Sequence, residues 1–217
     1  MVETAELIDA RGKTITTYIL HEVASAFSGL ARGAAVELLT DDFEPIEGDV
    51  RAWCRMAGHR IAAVQQEAGQ QRFVIEKGDA REGGRTLTLV LSNTGLEELL
   101  SPLAFALAAA LGGTRVFIYF QGPAVKVLTR GFTERLSGLS RPFSGFARKQ
   151  LTAQGHLPPQ EKLRQLQGLG AKFYACGGSM GHFGVKKEDF AFDDVTISEY
   201  VAFMEVMENA DIHIFLQ

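Results

Sequence analysis

Cys176 has the position best suited to chemistry in this sequence. It directly follows an apolar stretch, Ala171–Ala175, and is followed by Gly177, Gly178 and Ser179. A cysteine between a strand and a short helix lies among free backbone N–H groups, which favour the thiolate and bind anions. The glycines allow a substrate to approach the backbone closely. A buried cysteine at the end of a strand is also ordinary core packing, so the residues alone leave both interpretations open.

Two other loops are predicted to meet the loop after Cys176. Ser92–Gly95 and Gln121–Pro123 each follow a predicted apolar strand. Ligands of parallel sheets bind outside the carboxyl ends of the strands, so the three loops are expected to converge on one crevice. The candidate substrate-binding residues are therefore Gly177, Gly178, Ser179, Asn93 and Gln121, with Cys176 as the candidate catalytic residue.

Other reactive side chains carry weaker signals. Cys54 lies in the middle of a predicted helix beside Trp53 and is expected to pack in the core. His182 follows Cys176 by six residues and could lie next to it. Lys186 or Lys187 could help to bind an anionic donor. Neither the five histidines nor the two cysteines have the spacing of a metal site, and no phosphate-binding glycine loop is present. We therefore expect no metal and no cofactor.

The spacing of apolar residues predicts an α/β protein with two parts. Residues 1–77 are typical of a βαβαββ unit, a two-layer α/β sandwich, and the polar, glycine-rich residues 78–85 are typical of a linker. Residues 86–217 alternate between strands and helices, which favours a mainly parallel sheet with helices on both faces. Within this part we expect a single helix over Thr196–Glu208, with Ser198 also a possible start. Arg141–Lys149 is expected to be a connecting helix whose phenylalanines pack on the sheet. Its mixture of aromatic and basic residues is also compatible with a lid, a membrane-surface patch or a partner contact.

Composition excludes several functional classes. The 217 residues include 46% hydrophobic residues and carry a net charge of −4, which argues against bulk disorder and against a nucleic-acid binder. The most apolar stretch, Leu99–Leu111, is too short to span a bilayer. The acidic first residues lack the plan of a signal peptide, and two cysteines do not make a disulfide framework. These features favour a cytoplasmic protein.

The N-terminal part resembles the TusA/SirA family of sulfur carriers. The likeness lies in Ile8–Gly12, in Thr40–Asp41 and in Trp53–His59. That family carries persulfide sulfur on a Cys-Pro pair at the start of its first helix. Here Ile15-Thr16 stands at that place, and Cys54 belongs to the second helix. The resemblance therefore implies a TusA-like module without sulfur chemistry, retained for docking or regulation.

The C-terminal part resembles the DsrE/DsrF-like family. The matching run is Gly170–Cys176, followed by Ser179-Met180 and Gly184–Asp189. In that family the cysteine after this strand carries sulfur, and Cys176 matches it. Gly177-Gly178 and Gly181-His182 are less typical of the family. The resemblance implies homo-oligomers, a trimer in particular, no required cofactor, and sulfane sulfur held as a persulfide or thiosulfonate.

Three functions agree with these features. In the first, the protein is a sulfurtransferase or sulfur carrier that exchanges sulfur on Cys176 with small sulfur anions, persulfide donors and other sulfur-relay proteins. In the second, it is a non-catalytic assembly or regulatory protein of a sulfur relay, with Cys176 as a buried packing residue. In the third, it performs peroxide or thiol–disulfide chemistry, which lacks a nearby resolving cysteine. We favour the first.

Overall fold

The structure is a computed structural model of the chain, and it describes residues 4–42, 44–79, 84–136, 144–153 and 156–216. The side chains of five residues within these ranges are not described: Glu44, Ala147, Arg148, Thr152 and Ala153. The chain forms two compact units. The first comprises residues 1–82 with 111–113 and 151–156, and the second comprises 83–110, 114–150 and 157–217.

The first unit contains a four-stranded sheet and two helices. Its elements are β1 (Thr4–Asp9), α1 (Thr16–Ser28), β2 (Ala35–Asp41), α2 (Glu44–Ala57), β3 (Arg60–Glu67) and β4 (Gln70–Glu76). The strand order is β1-β2-β4-β3, in which β1 and β2 are parallel and the other pairs antiparallel. The predicted α/β class and βαβαββ order are confirmed, with α2 beginning at Glu44 rather than at Asp49.

The core of this unit follows the helical and strand periods of its sequence. Ile19, Val23 and Phe27 recur every four residues along α1, and all three are buried. In β4, Phe73 and Ile75 alternate with less buried residues and point to the same core. Burial of these large apolar side chains is the main favourable term in the folding of the unit.

The second sheet has five strands. The elements from residue 84 onward are β5 (Thr86–Leu91), α3 (Leu96–Leu111), β6 (Arg115–Phe120), a 3-10 helix (Gly122–Leu128), α4 (Ser144–Ala153), α5 (Pro159–Gly168), β7 (Lys172–Cys176), α6 (Gly177–Phe183), a 3-10 turn (Lys187–Asp189), β8 (Thr196–Ser198), α7 (Tyr200–Glu208) and β9 (Ile212–Leu216). The strand order is β8-β7-β6-β5-β9, and all four strand pairs are parallel. The predicted parallel sheet flanked by helices is confirmed, and every residue of β5 is buried, as expected for a strand covered on both faces.

The single helix expected over Thr196–Glu208 is wrong at its start. Thr196–Ser198 forms the edge strand β8, which pairs with β7 and places Ser198 opposite Cys176. Glu199 then adopts an extended conformation as the N-cap of α7, with φ −105° and ψ 175°. Thr196 and Ile197 are β-branched and favour a strand, and pairing with β7 fixes that conformation. The break brings Glu199 to the carboxyl end of the sheet.

The aromatic and basic segment is described only in part. Residues 141–143 of the expected helix over Arg141–Lys149 lie outside the described residues. Ser144–Ala153 is helical, but Phe146 is 71% exposed, so the expectation that the phenylalanines of this segment pack on the sheet is wrong for Phe146. In the described ranges, no helix has both the length and the apolar character needed to cross a bilayer.

Candidate functional site

Cys176 lies at the junction of β7 and α6. It is the last residue of the strand and the N-cap of the helix. Its Sγ accepts a hydrogen bond from the backbone N–H of Ser179 at 3.4 Å. A sulfur atom thus takes the capping role that serine or aspartate oxygen usually fills at the start of a helix. The local sequence produces this geometry because Gly177 and Gly178 leave the first turn free of bulky side chains.

Further donors surround the sulfur. The hydroxyl of Ser179 accepts a hydrogen bond from the N–H of Gly122 at 2.8 Å and donates to Cys176. Tyr119, a buried residue of β6, donates its hydroxyl to the Ser198 carbonyl at 3.5 Å and favours the thiolate of Cys176, and the negative charge of that thiolate raises the pKa of Tyr200 in α7. Donors of this kind stabilise the thiolate more than the thiol.

The carboxylate of Glu199 also contacts the sulfur. Its Oε2 lies 3.8 Å from Cys176 Sγ, and its Oε1 accepts a hydrogen bond from the N–H of Gly178 at 2.8 Å. A Cβ atom added at Gly177 would lie 2.8 Å from Oε1. The carboxylate therefore covers both glycines, and it is the charged side chain nearest the sulfur among the described residues.

The thiol lies in a largely aromatic environment. Cys176 is 2% exposed and packs in one cluster with Val90, Tyr119 and Phe203. The rings of Tyr119 and Phe203 stack with their centroids 4.7 Å apart. Because Phe203 belongs to α7, this helix lies as a cover over the cysteine.

The surroundings of the two cysteines shift their thiol pKa values in opposite directions. Burial opposes ionisation of Cys176, but the hydrogen bonds from Ser179 and Tyr119 outweigh it and lower the pKa of the Cys176 thiol below its ordinary value. The charge of Glu199 acts in the other direction. At Cys54, burial without such donors raises the pKa to about 12. Both cysteines are free thiols, and Cys176 is the one whose pKa is lowered.

The predicted site residues are brought together only in part. Ser179 contacts Cys176 directly, and Gly177 and Gly178 lie beside the carboxylate of Glu199. Gln121 donates from Nε2 to the hydroxyl of Ser92 at 2.9 Å, which ties two of the three predicted loops together. Its neighbour Gly122 supplies the bond to Ser179.

Asn93 lies in a different place. It lines an open cleft of about 930 Å³ together with cationic and acidic side chains that include Lys126, Arg130 and Glu188. Cys176 does not line this cleft. Asn93 is therefore a lining residue of the cleft, and no contact in the described structure connects it to the thiol.

The cationic and histidine candidates do not contact the thiol. The ring of His182 packs against Phe183, with centroids 4.8 Å apart. Lys186 caps the 3-10 turn that follows, with its backbone N–H bonded to Asp189. Within the described ranges, no group of three or more His, Cys, Asp or Glu side chains is arranged to hold a metal.

Three residues of the site were missed from the sequence: Tyr119, Glu199 and Tyr200. Glu199 and Tyr200 follow β8, so the rule that ligands meet the carboxyl ends of strands would have included them if Thr196–Ser198 had been recognised as a strand. Tyr119 lies inside β6, and its side chain reaches the thiol through the face of the sheet. No signal in the sequence marks that contact.

Two solved structures are similar to part of the chain. The ychN protein of E. coli is similar in structure at 16% sequence identity and a TM-score of 0.45, over 61% of this chain and 98% of that chain. The conserved protein of unknown function BT1422 from Bacteroides thetaiotaomicron is similar at 15% identity and a TM-score of 0.43, over 64% of this chain and 100% of its own. No curated protein matches the sequence. Residues 87–216, more than half of the chain, match the DsrE/DsrF-like family, and the chain therefore belongs to this family of sulfur-relay proteins.

Proposed function

We propose that the protein carries sulfane sulfur on Cys176 and passes it on within a sulfur relay. The observation that carries this proposal is the setting of the thiol at the carboxyl end of β7. There Sγ accepts a hydrogen bond from the Ser179 N–H at 3.4 Å, and the hydroxyls of Ser179 and Tyr119 lower the pKa of the thiol. Membership of a sulfur-relay family supports the same reading of the site.

The chemistry is nucleophilic attack by the Cys176 thiolate. With a persulfide donor, R–S–SH, the thiolate attacks the outer sulfur, a new S–S bond forms at Sγ and the S–S bond of the donor breaks. The donor leaves as R–S⁻ and takes up a proton from solvent. Cys176 then holds one additional sulfur atom, and attack by an acceptor thiolate on that atom reverses the exchange. The donors around Sγ stabilise the thiolate before attack and the thiolate that leaves on discharge.

The first unit is proposed to be a TusA-like module without sulfur chemistry. Its βαβαββ order and the strand order β1-β2-β4-β3 support this assignment. Ile15 is the N-cap of α1, where a carrier of that family would place its cysteine. Cys54 is buried, with a pKa raised to about 12, and is unsuited to replace it. We assign this unit, residues 1–77 before a linker at 78–85, a docking or regulatory role.

The expected compartment, oligomeric state and partners follow from the family resemblance and the cysteine content. We expect a cytoplasmic homo-oligomer, with a trimer favoured, that exchanges sulfur with persulfide donors, small sulfur anions and other relay proteins. The two free thiols fit a reducing compartment.

A second function is favoured by one observation. Cys176 is only 2% exposed, as expected for a packing residue in a non-catalytic assembly or regulatory protein. The two functions differ in what the thiol does when a donor is added. A carrier opens its cover and takes up sulfur, whereas a packing cysteine reacts slowly or not at all.

The test is intact mass spectrometry of the reduced protein after incubation with a persulfide donor, thiosulfate or tetrathionate. Cys54→Ser and Cys176→Ser are treated in parallel. We expect an adduct of one sulfur atom or one thiosulfonate group that persists in Cys54→Ser and is lost in Cys176→Ser. No adduct from any donor, together with slow alkylation of Cys176 by iodoacetamide, would favour the assembly or regulatory role.

A further inference from the structure

Glu199 occupies the position that an anionic donor would take beside the thiol. Its Oε1 accepts the hydrogen bond of the Gly178 N–H at 2.8 Å, and its Oε2 lies 3.8 Å from Cys176 Sγ. The backbone donor that would otherwise hold a substrate anion is therefore already paired within the protein. A donor that is to use this N–H must first displace the carboxylate.

The location of Glu199 also sets the charge that a donor meets. Cys176 is buried, whereas the Glu199 residue beside it is exposed. A reagent that comes from solvent to Sγ passes close to this carboxylate. Among the described residues no cationic side chain contacts the sulfur to offset that charge. The ring of His182 packs on Phe183, and Lys186 caps the following turn. Like charges brought this close repel, and the repulsion grows with the charge of the donor.

We propose that Glu199 is a specificity-determining residue that discriminates against dianionic sulfur donors and directs Cys176 to persulfide donors. This inference rests on the proposed function and narrows its substrate class. Thiosulfate brings two negative charges to the thiol, and a persulfide brings at most one. In the selected reaction the Cys176 thiolate attacks the outer sulfur of R–S–SH, the new S–S bond forms, and R–S⁻ leaves and is protonated by solvent.

A pair of alkylating agents isolates this charge effect. Iodoacetamide is neutral, iodoacetate carries one negative charge, and the two have nearly the same size. Both need the same opening of the cover over Cys176 and the same thiolate, so the ratio of their rate constants cancels accessibility and the thiolate fraction. The ratio reports the electrostatic cost of bringing a negative charge to Sγ.

The variant for this measurement is Glu199→Gln in a Cys54→Ser background. Glutamine has nearly the same shape as glutamate, and its oxygen retains an acceptor for the Gly178 N–H. The matched control is Glu205→Gln, which makes the same change in net charge at an exposed position of the same helix. We expect the iodoacetate-to-iodoacetamide ratio to rise about tenfold in Glu199→Gln and to stay at the wild-type value in Glu205→Gln.

The outcomes separate the inference from the proposed function. A ratio in Glu199→Gln within about twofold of wild type, or an equal rise in Glu205→Gln, overturns the role of Glu199 whether or not sulfur is loaded. Sulfur loading is then compared by intact mass with thiosulfate and a small-molecule persulfide. We expect Glu199→Gln to increase the initial rate with thiosulfate relative to the persulfide. If the wild-type protein takes up sulfur from neither donor while the alkylation ratio rises as expected, the charge barrier stands and the proposed sulfur carriage fails.

Discussion

Removal of the Ser179 hydroxyl tests the electrostatic account of the thiol. In Ser179→Ala, Cys176 loses the side-chain hydrogen bond that favours its thiolate, while the backbone bond from residue 179 remains. A hydrogen bond to a charged group contributes about 1.5–3 kcal/mol. A tenfold change in the thiolate fraction corresponds to about 1.4 kcal/mol, so we expect the pKa of Cys176 to rise and the thiolate fraction below it to fall.

The assay is the rate of alkylation by iodoacetamide as a function of pH, in a Cys54→Ser background. Because only the thiolate reacts, the midpoint of the profile reports the pKa of Cys176. At a pH below both midpoints, the rate in Ser179→Ala should fall by about tenfold or more. Ser179→Thr keeps a hydroxyl at the same position and is the conservative control.

A midpoint that stays unchanged in Ser179→Ala would refute this reasoning. The variant also leaves the N–H of Gly122 without its 2.8 Å acceptor. We therefore expect a loss of about 1 kcal/mol in the free energy of unfolding, which is checked by urea denaturation. A loss of stability without a shift of the alkylation midpoint would assign Ser179 a structural role alone.

A buried lysine and a half-buried histidine give further predictions. Lys162 is buried with its ammonium bonded to the Leu100 carbonyl, and burial lowers its pKa to about 8. The unfolded state thus binds more protons between pH 8 and 10.5, so stability should rise across that window, and Lys162→Met should add about 1–3 kcal/mol at pH 7 and less at pH 10 by urea denaturation. A destabilised variant, or a gain independent of pH, would contradict this. His59 accepts the Gly78 N–H on Nδ1, and burial and the charge of Lys77 lower its pKa. The first unit should therefore lose stability as pH falls below about 6.5 through this lowered pKa, and His59→Phe should flatten that dependence in acid titrations followed by tryptophan fluorescence; equal slopes would contradict the assignment.

The fold was largely predictable because its apolar residues recur at the regular spacings of helices and strands. The four-residue spacing along α1 and the fully apolar β5 each favour one structure, and both are observed. The edge strand β8 was not predictable in this way. Thr196–Ser198 is too short to show a period of its own, and its conformation comes from pairing with β7.

The site was predictable only where it is local in sequence. The placement of Cys176 before two glycines and Ser179 is visible in the sequence, and the hydrogen bond from the Ser179 N–H follows from it. Tyr119 and Glu199 reach the sulfur from other elements of the sheet. Contacts of this kind depend on the order of the strands, which a single sequence does not specify. The carboxylate of Glu199 beside Gly177 and Gly178 was likewise not visible in the sequence.

The central claim is that Cys176 takes up sulfane sulfur and gives it back. The most direct test loads the reduced protein with a persulfide donor, removes the donor by gel filtration and then adds an acceptor thiol, with the mass of the protein followed at each step. We expect the mass to rise by one sulfur atom, located on the peptide that contains Cys176, and to return to its starting value after the acceptor is added. A mass that does not change, or a sulfur atom located on Cys54, would contradict the account.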